Sequence, residues 1–279
     1  MALVTGATAG IGRAIALGLA RSGFHVVVGC RDARRGEEVA DELRRETGTT
    51  SSLMVADLSL PREVRAACAS VQREVPRLDV LVNNAGGWST RRVETPDGVE
   101  RTWATNVLAY HLVTRLWEEP LAAARGRVVF VASGLAHSLS LDDPEFRRRP
   151  YSGLQAYAQS KQANRMMARA FARRLEARGV VVNSMHPDFT RTGAFSAGGG
   201  FSGWVAGLGA RLFGRSPHKA ADTALWLATS AEVQGVTGGY FHERRELGCP
   251  FVNEAAEDAL FSLCERQCSP ATELATEFA

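Results

Sequence analysis

With 279 residues, 45% of them hydrophobic and 23% charged, the chain has the apolar content for one large α/β domain or two small ones and the balance of a soluble globular protein. Its formal net charge of +3 comes from scattered pairs, Arg34-Arg35, Arg91-Arg92, Arg173-Arg174 and Arg244-Arg245, and a run at Arg147 to Arg149; these read as solvated faces, so no nucleic-acid partner is expected. Five cysteines without paired CxxC spacing, six histidines without ligand spacing and no apolar run near the ~18 residues of a membrane span point to a reduced, cytoplasmic protein with no catalytic metal and no membrane anchor.

From the N-terminus, short β-branched runs predict strands at residues 2–4, 25–29, 52–55, 80–82, 127–132, 180–185 and 239–241. They are largely apolar, as strands covered on both faces of a parallel sheet are. The segments between them predict helices at 11–22, 34–46, 61–75, 97–119, 154–178 and 217–230, with a further one at 253–266. The pattern is that of an α/β fold in one domain, a doubly wound parallel sheet of about seven strands flanked by helices. A Gly-rich insertion at 193–216 is expected over the carboxyl edge of the sheet, and residues 243–279 form a C-terminal extension.

Two local patterns carry chemistry. The first strand runs directly into Thr5-Gly6-Ala7-Thr8-Ala9-Gly10-Ile11-Gly12 and then a helix. Glycines there let the backbone turn tightly and approach a pyrophosphate, while the helix N-terminus directs free N–H groups at its charge. The second pattern is Tyr157 and Lys161, four residues apart in a chain with four tyrosines and two lysines. On a helix that spacing puts phenol and ammonium on one face. At about 4 Å and an effective dielectric near 20 their attraction is on the order of 4 kcal/mol, enough to lower the phenol pKa by roughly three units before desolvation opposes it. A surface Tyr lying over a Lys on an ordinary helix has the same spacing.

Thr5 to Gly12 resembles the TGxxxGIG signature of short-chain dehydrogenases/reductases. Four more blocks resemble that family in the same order: Asp57-Leu58, Asn83-Asn84-Ala85-Gly86, Ser133, and Tyr157 with Lys161. The resemblance spans residues 1–242 and implies a single NAD(P)-binding Rossmann domain. Finer similarity, in Cys30-Arg31-Asp32, Ser160-Lys161-Gln162-Ala163-Asn164, Gly239-Tyr240-Phe241 and the 24-residue separation of Ser133 from Tyr157, is to the retinol dehydrogenase and WW-domain oxidoreductase group.

By that resemblance the cofactor site comprises Thr5, Gly6, Thr8, Gly10, Ile11 and Gly12 around the pyrophosphate. Asp57 and Leu58 lie at the adenine, Asn83, Ala85 and Gly86 at the adenosine ribose, and Pro187, Thr190 and Thr192 at the nicotinamide carboxamide. After the second strand, Arg31 takes the place where similar enzymes hold a 2′-phosphate, so NADP(H) is expected over NAD(H). Asp32, one residue on, is the competing acceptor for a ribose hydroxyl. Asp188 replaces the usual Gly of the turn after strand six and reads either as a specificity feature or as a solvated side chain.

The resemblance also implies a catalytic tetrad of Asn106, Ser133, Tyr157 and Lys161. Ser133 polarises a carbonyl, Tyr157 exchanges a proton with its oxygen, Lys161 holds the nicotinamide ribose and lowers the Tyr pKa, and the backbone of Asn106 holds a water on the proton path. The substrate pocket is expected from Ser133, Leu135, Tyr157, Asp188, Phe189, Phe201 and Trp204. The insert 134–156 supplies one wall. A lid with Trp204, Leu208 and Leu212 on one helical face supplies the other, plain core packing being the alternative for that face. The expected activity is a ketoreductase on a small, mostly apolar and cyclic substrate, with alcohol oxidation or a non-catalytic NADP(H)-binding role as alternatives. Similar enzymes form homodimers or homotetramers through helices at 97–119 and 154–178.

Overall fold

The computed structural model describes residues 1–74, 76–187 and 216–269. The strands are β1 (Ala2–Thr5), β2 (Val26–Cys30), β3 (Ser51–Val55), β4 (Val80–Asn83), β5 (Arg127–Val131), β6 (Val181–Met185), β7 (Tyr240–His242) and β8 (Arg245–Leu247). The helices are α1 (Gly10–Arg21), α2 (Ala33–Thr47), α3 (Pro61–Gln72), α4 (Arg101–Trp103), α5 (Ala109–Leu116), α6 (Glu118–Ala124), α7 (Gly153–Leu175), α8 (Pro217–Thr229) and α9 (Glu254–Cys268). Among the described residues they form one α/β unit around a sheet of order β3-β2-β1-β4-β5-β6-β7-β8.

Strands β1 to β7 pair in parallel and β8 returns antiparallel to β7. Alternate side chains of each strand enter different cores, since successive Cβ atoms point to opposite faces. Leu3 and Val27 join α3, α5, α7 and α9 on one face. Ala2, Val4, Val26 and Val28 join α1, α2 and α8 on the other. Both faces being covered, the central strands β1, β2, β4 and β5 are mostly apolar instead of alternating with polar residues.

Three features depart from the expected elements. The sheet has an eighth strand, β8, whose three residues are all exposed; an edge strand of Arg, Glu and Leu carries no apolar signal. Its turn is made by Glu243 and Arg244, both at positive φ (48° and 59°), a left-handed pair that hairpins usually build from Asn and Gly. The helix expected over 97–119 is divided. Its first turn is capped by Glu100, whose carboxylate accepts from the N–H groups of Thr102 and Trp103. A π-turn follows over Ala104–Leu108, and a break at Trp117 separates α5 from α6.

The insert expected to wall the pocket divides as well. Residues 134–139 follow α7, with Leu139 N–H on the Gln162 side chain. Asp143 to Phe146 are buried in a plug: Asp143 accepts from the backbone of Arg147, Arg148 and Arg149, and Glu145 accepts from Glu100 N–H and the Gln267 amide. That part packs against α4 and α9 and is tied to α7 at Gln159, whose amide donates to the Pro144 carbonyl and accepts from Arg149 at 2.6 Å.

Candidate active site

In a parallel sheet every strand ends at the same edge, so chemically distinct residues distant in sequence meet there. At the end of β1 the chain turns through Gly6 and Gly10, both at positive φ (66° and 55°), a conformation in which glycine avoids Cβ strain. Gly12 is closed in by the neighbouring strand end: a Cβ on it would lie 2.3 Å from the Gly6 carbonyl oxygen and 2.4 Å from the Asn84 amide nitrogen. Helix α1 then starts at Ala9 with no side-chain cap and no acidic residue in its first turn, leaving its N–H groups directed at the turn. Thr8 and Ile11 are half-buried beside it.

Asn84 holds this turn to β4. Its amide donates to the Thr5 carbonyl at 2.9 Å, and its N–H and that of Ala85 donate to the Thr5 hydroxyl at 2.9 and 3.0 Å. Thr5 therefore has a bracing position. Asn83, fully buried, points to the other side and donates to the Thr114 hydroxyl at 2.9 Å, so its side chain is committed to α5. The sequence shows two adjacent asparagines without telling them apart; the register of β4 decides that Asn83 ends the strand and Asn84 crosses to the turn.

At the ends of β2 and β3, Arg31 is exposed and Asp32 caps α2, its carboxylate accepting from Arg35 N–H at 3.2 Å. Asp57 accepts from the N–H and hydroxyl of Ser59 at 2.9 and 2.7 Å. Partial burial pushes its pKa up, but the Ser59 bonds and the charges of Arg31 and Arg101 outweigh this and hold it below the usual carboxylate range. Arg31 thus lies within electrostatic reach of the Asp57 pocket. Leu58 is partly buried against the core beside it.

Ser133, just beyond β5, hydrogen-bonds Tyr157 and accepts from Leu135 N–H at 3.1 Å. Lys161 is 4% exposed; its ammonium donates to the Val131 carbonyl at 2.9 Å and lies 5.7 Å from the Tyr157 ring centre. Asn106, within the π-turn, donates to the Gly87 carbonyl and to the Ser160 hydroxyl at 2.9 and 3.0 Å and accepts from Gly87 N–H at 2.9 Å. It joins the loop after β4 to α7. Gly86 lies between, where a Cβ would be 3.2 Å from the Asn106 side-chain amide oxygen and 3.5 Å from the Lys161 ammonium nitrogen. The structure therefore brings Asn106, Ser133, Tyr157 and Lys161 together beside the glycine turn.

The electrostatics differ from the expectation of a Lys-depressed phenol. Burial pushes the Tyr157 pKa up, and the Ser133 bond only partly opposes it. Burial also brings Lys161 down to about 7, because an ammonium bonded to one neutral carbonyl is poorly compensated for lost hydration. At neutral pH Tyr157 carries its proton, the form in which it can donate one.

Leu135 is exposed at the mouth of the site and Pro187 follows β6 at the same edge. Asp188, Phe189, Thr190, Thr192, Phe201 and Trp204, together with the lid expected over 193–216 as far as residue 215, lie outside the described residues. Among the described residues no cluster of His, Cys, Asp and Glu suits a metal ion, and no helix is long and apolar enough to cross a membrane.

The family model for short chain dehydrogenases matches residues 1–198. Retinol dehydrogenase 14 of Mus musculus is 38% identical over 264 residues, covering 88% of this chain and 78% of the relative. DnrU of Streptomyces sp. (strain C5), whose name assigns it to daunorubicin C-13 ketoreduction, is 40% identical over 247 residues, covering 87% and 83%. Among solved structures, a short-chain dehydrogenase from Sphingobium yanoikuyae in complex with NADPH superposes with a TM-score of 0.63 at 27% identity, covering 80% of this chain and 82% of that one.

Proposed function

The chain belongs to the short-chain dehydrogenase family, and from that premise we propose that it is an NADP(H)-dependent oxidoreductase that reduces a carbonyl to an alcohol on a mostly apolar, cyclic substrate. The observation that carries the reading is the convergence of Ser133, Tyr157, Lys161 and Asn106 on one sheet edge, beside a glycine turn into which a side chain would collide. DnrU, named for ketoreduction, and a solved relative bound to NADPH support the chemistry and the cofactor.

The residues fit a dinucleotide. The turn through Gly6, Gly10 and Gly12 and the uncapped start of α1 suit a pyrophosphate. Asp32 is engaged as the cap of α2, whereas Arg31 is exposed beside the Asp57 pocket. An exposed guanidinium at this position, with the neighbouring carboxylate turned to the helix cap, favours a 2′-phosphate over a bare ribose hydroxyl.

When bound, the reduced nicotinamide supplies a hydride. For the protein's part, the Ser133 hydroxyl, oriented by Leu135 N–H and Tyr157, donates to the substrate oxygen and polarises the carbonyl. Tyr157 gives that oxygen its proton, and its raised pKa keeps the proton in place at neutral pH. Lys161, held by the Val131 carbonyl, is the amine on α7 next to the phenol, and in its protonated form it stabilises the phenolate left behind. The same groups run in reverse for alcohol oxidation, and retinol dehydrogenase 14 is a relative named for that direction; a protonated Tyr157 at neutral pH favours reduction.

Fluorescence titration with NADPH and NADH, on wild type and Arg31→Ala, tests the cofactor. A preference for NADPH of at least about tenfold, or ~1.4 kcal/mol, that collapses in the variant is expected. Equal binding of the two dinucleotides would overturn the phosphate assignment. Turnover on a panel of cyclic ketones and alcohols, with Tyr157→Phe as control, tests the reaction: the variant should lose roughly 10²–10⁴-fold in kcat with NADPH binding retained. Tight NADPH binding with no turnover by wild type would instead identify a non-catalytic cofactor-binding protein.

A further inference from the structure

Arg165 lies one helical turn beyond Lys161 on α7, so Tyr157, Lys161 and Arg165 follow one another along one face. It is only 5% exposed, and no carboxylate pairs with it among the described residues. Its guanidinium donates to the main-chain carbonyl of Ser133 and lies over Tyr240, 3.8 Å from the ring centre, with Phe251 at 5.5 Å. Its Nε is buried without a partner. Among the described residues a guanidinium so placed has lost hydration without gaining a counter-charge, an arrangement that packing alone would fill better with an apolar side chain. What the charge does contact is the backbone of the residue that carries the reactive hydroxyl.

The other side of that peptide is held too. Tyr240, beneath the guanidinium, bonds through its hydroxyl to His186 Nδ1, and the His186 ring stacks on His242 with centres 4.1 Å apart. The edge of His186 closes on Gly134, where a Cβ would meet its Cδ2 at 3.5 Å. The Ser133-Gly134 segment is gripped between α7 and the ends of β6 and β7. Leu135 N–H, one residue on, donates to the Ser133 hydroxyl, so tilting this segment would turn the hydroxyl away from Tyr157.

We infer that Arg165 is a positioning residue that clamps the Ser133 carbonyl, and with Tyr240 and His186 fixes the direction of the Ser133 hydroxyl. The inference rests on the carbonyl-alcohol reading for its catalytic consequence, and on geometry alone for the clamp. A guanidinium is suited to the task because its planar fork covers the Tyr240 face while one arm reaches the carbonyl; an ammonium is a point charge and cannot do both fully.

Arg165→Met and Arg165→Lys are compared with wild type by steady-state reduction of a substrate found on the ketone panel, by NADPH fluorescence titration, and by hydrogen exchange of the peptide spanning residues 131–137. For Arg165→Met, kcat should fall by about 10- to 100-fold, the scale of a small displacement of a reacting group, while the NADPH Kd stays within about twofold and exchange at Gly134 and Leu135 accelerates. Arg165→Lys should recover part of the loss. A kcat within about threefold of wild type in both variants would overturn the inference, as would equal exchange acceleration along the whole of α7, which marks a folding role. Should Arg165→Met fail to fold, Arg165→Lys decides by the same criteria. Should wild type turn over nothing on the panel, the proposed reaction fails, and unchanged exchange at Gly134 and Leu135 in the variants would separately overturn the clamp.

Discussion

Lys161 shows how a residue's surroundings alter its chemistry. The spacing of Tyr157 and Lys161 suggests an ammonium that lowers its neighbour's pKa, yet the folded site buries both and pushes each toward its neutral form. With a folded pKa of about 7 against an ordinary value of 10.5, Lys161 binds fewer protons in the folded than in the unfolded chain between those limits. Stability should therefore rise with pH from about 7 upward and be insensitive to this group below that. Urea denaturation of the cofactor-free protein at pH 7 and pH 9 should reveal a gain on the order of 2 kcal/mol in wild type that is missing in Lys161→Met. A pH dependence identical in the two proteins would mean that Lys161 titrates as an ordinary surface lysine.

Among the elements, α9 ties together residues from several other helices. The helix predicted over 253–266 forms over Glu254–Cys268 and lies along α7 and α5. Asn253 caps it, accepting from Ala256 N–H at 3.0 Å. Glu257, fully buried, pairs with Arg169 at 2.7 Å and with Arg173. Phe261 packs on Phe171 and His111, Glu265 joins His111 and Arg115, and Gln267 accepts from the Trp103 indole at 2.9 Å. Cys264 and Cys268 are buried free thiols in this packing. Removing one partner of a buried ion pair costs about 3–5 kcal/mol because the remaining charges are left uncompensated. Glu257→Ala should therefore lower unfolding stability by roughly 3 kcal/mol, the lower end because both arginines are partly solvated. NADPH affinity should stay unchanged, since the pair is distant in the fold from the glycine turn. A loss below about 0.5 kcal/mol in chemical denaturation would show that α9 is held by its apolar face alone.

At the scale of the molecule, α9 bears on assembly. The family resemblance implies homodimers or homotetramers built on helices that here correspond to α4, α5 and α7, and in this chain those helices are packed against α9 through buried ion pairs and aromatic contacts. A second copy using that face would have to displace α9. We expect a species near the chain mass of 30.1 kDa by sedimentation velocity at micromolar concentration; a stable dimer that survives dilution would require a different interface or a released α9.

Sequence alone was sufficient for the parallel strands and their crossover helices, because strands buried on both faces must be apolar runs and the helices between them must be amphipathic. It was sufficient for the glycine turn, and the family resemblance of the blocks around them singled out Asn106, Ser133, Tyr157 and Lys161 as candidates. It could not separate Asn83 from Asn84, because one residue of strand register reverses the direction of a side chain. Nor could it foresee β8, whose exposed residues and Glu-Arg turn carry no hydrophobic period, or the π-turn at Asn106, which changes hydrogen bonding without changing composition. The pKa of Lys161 and the approach of Arg165 to the back of Ser133 were decided only by tertiary structure. Each depends on the distance and burial of groups from separate elements, and those are fixed only when the elements pack.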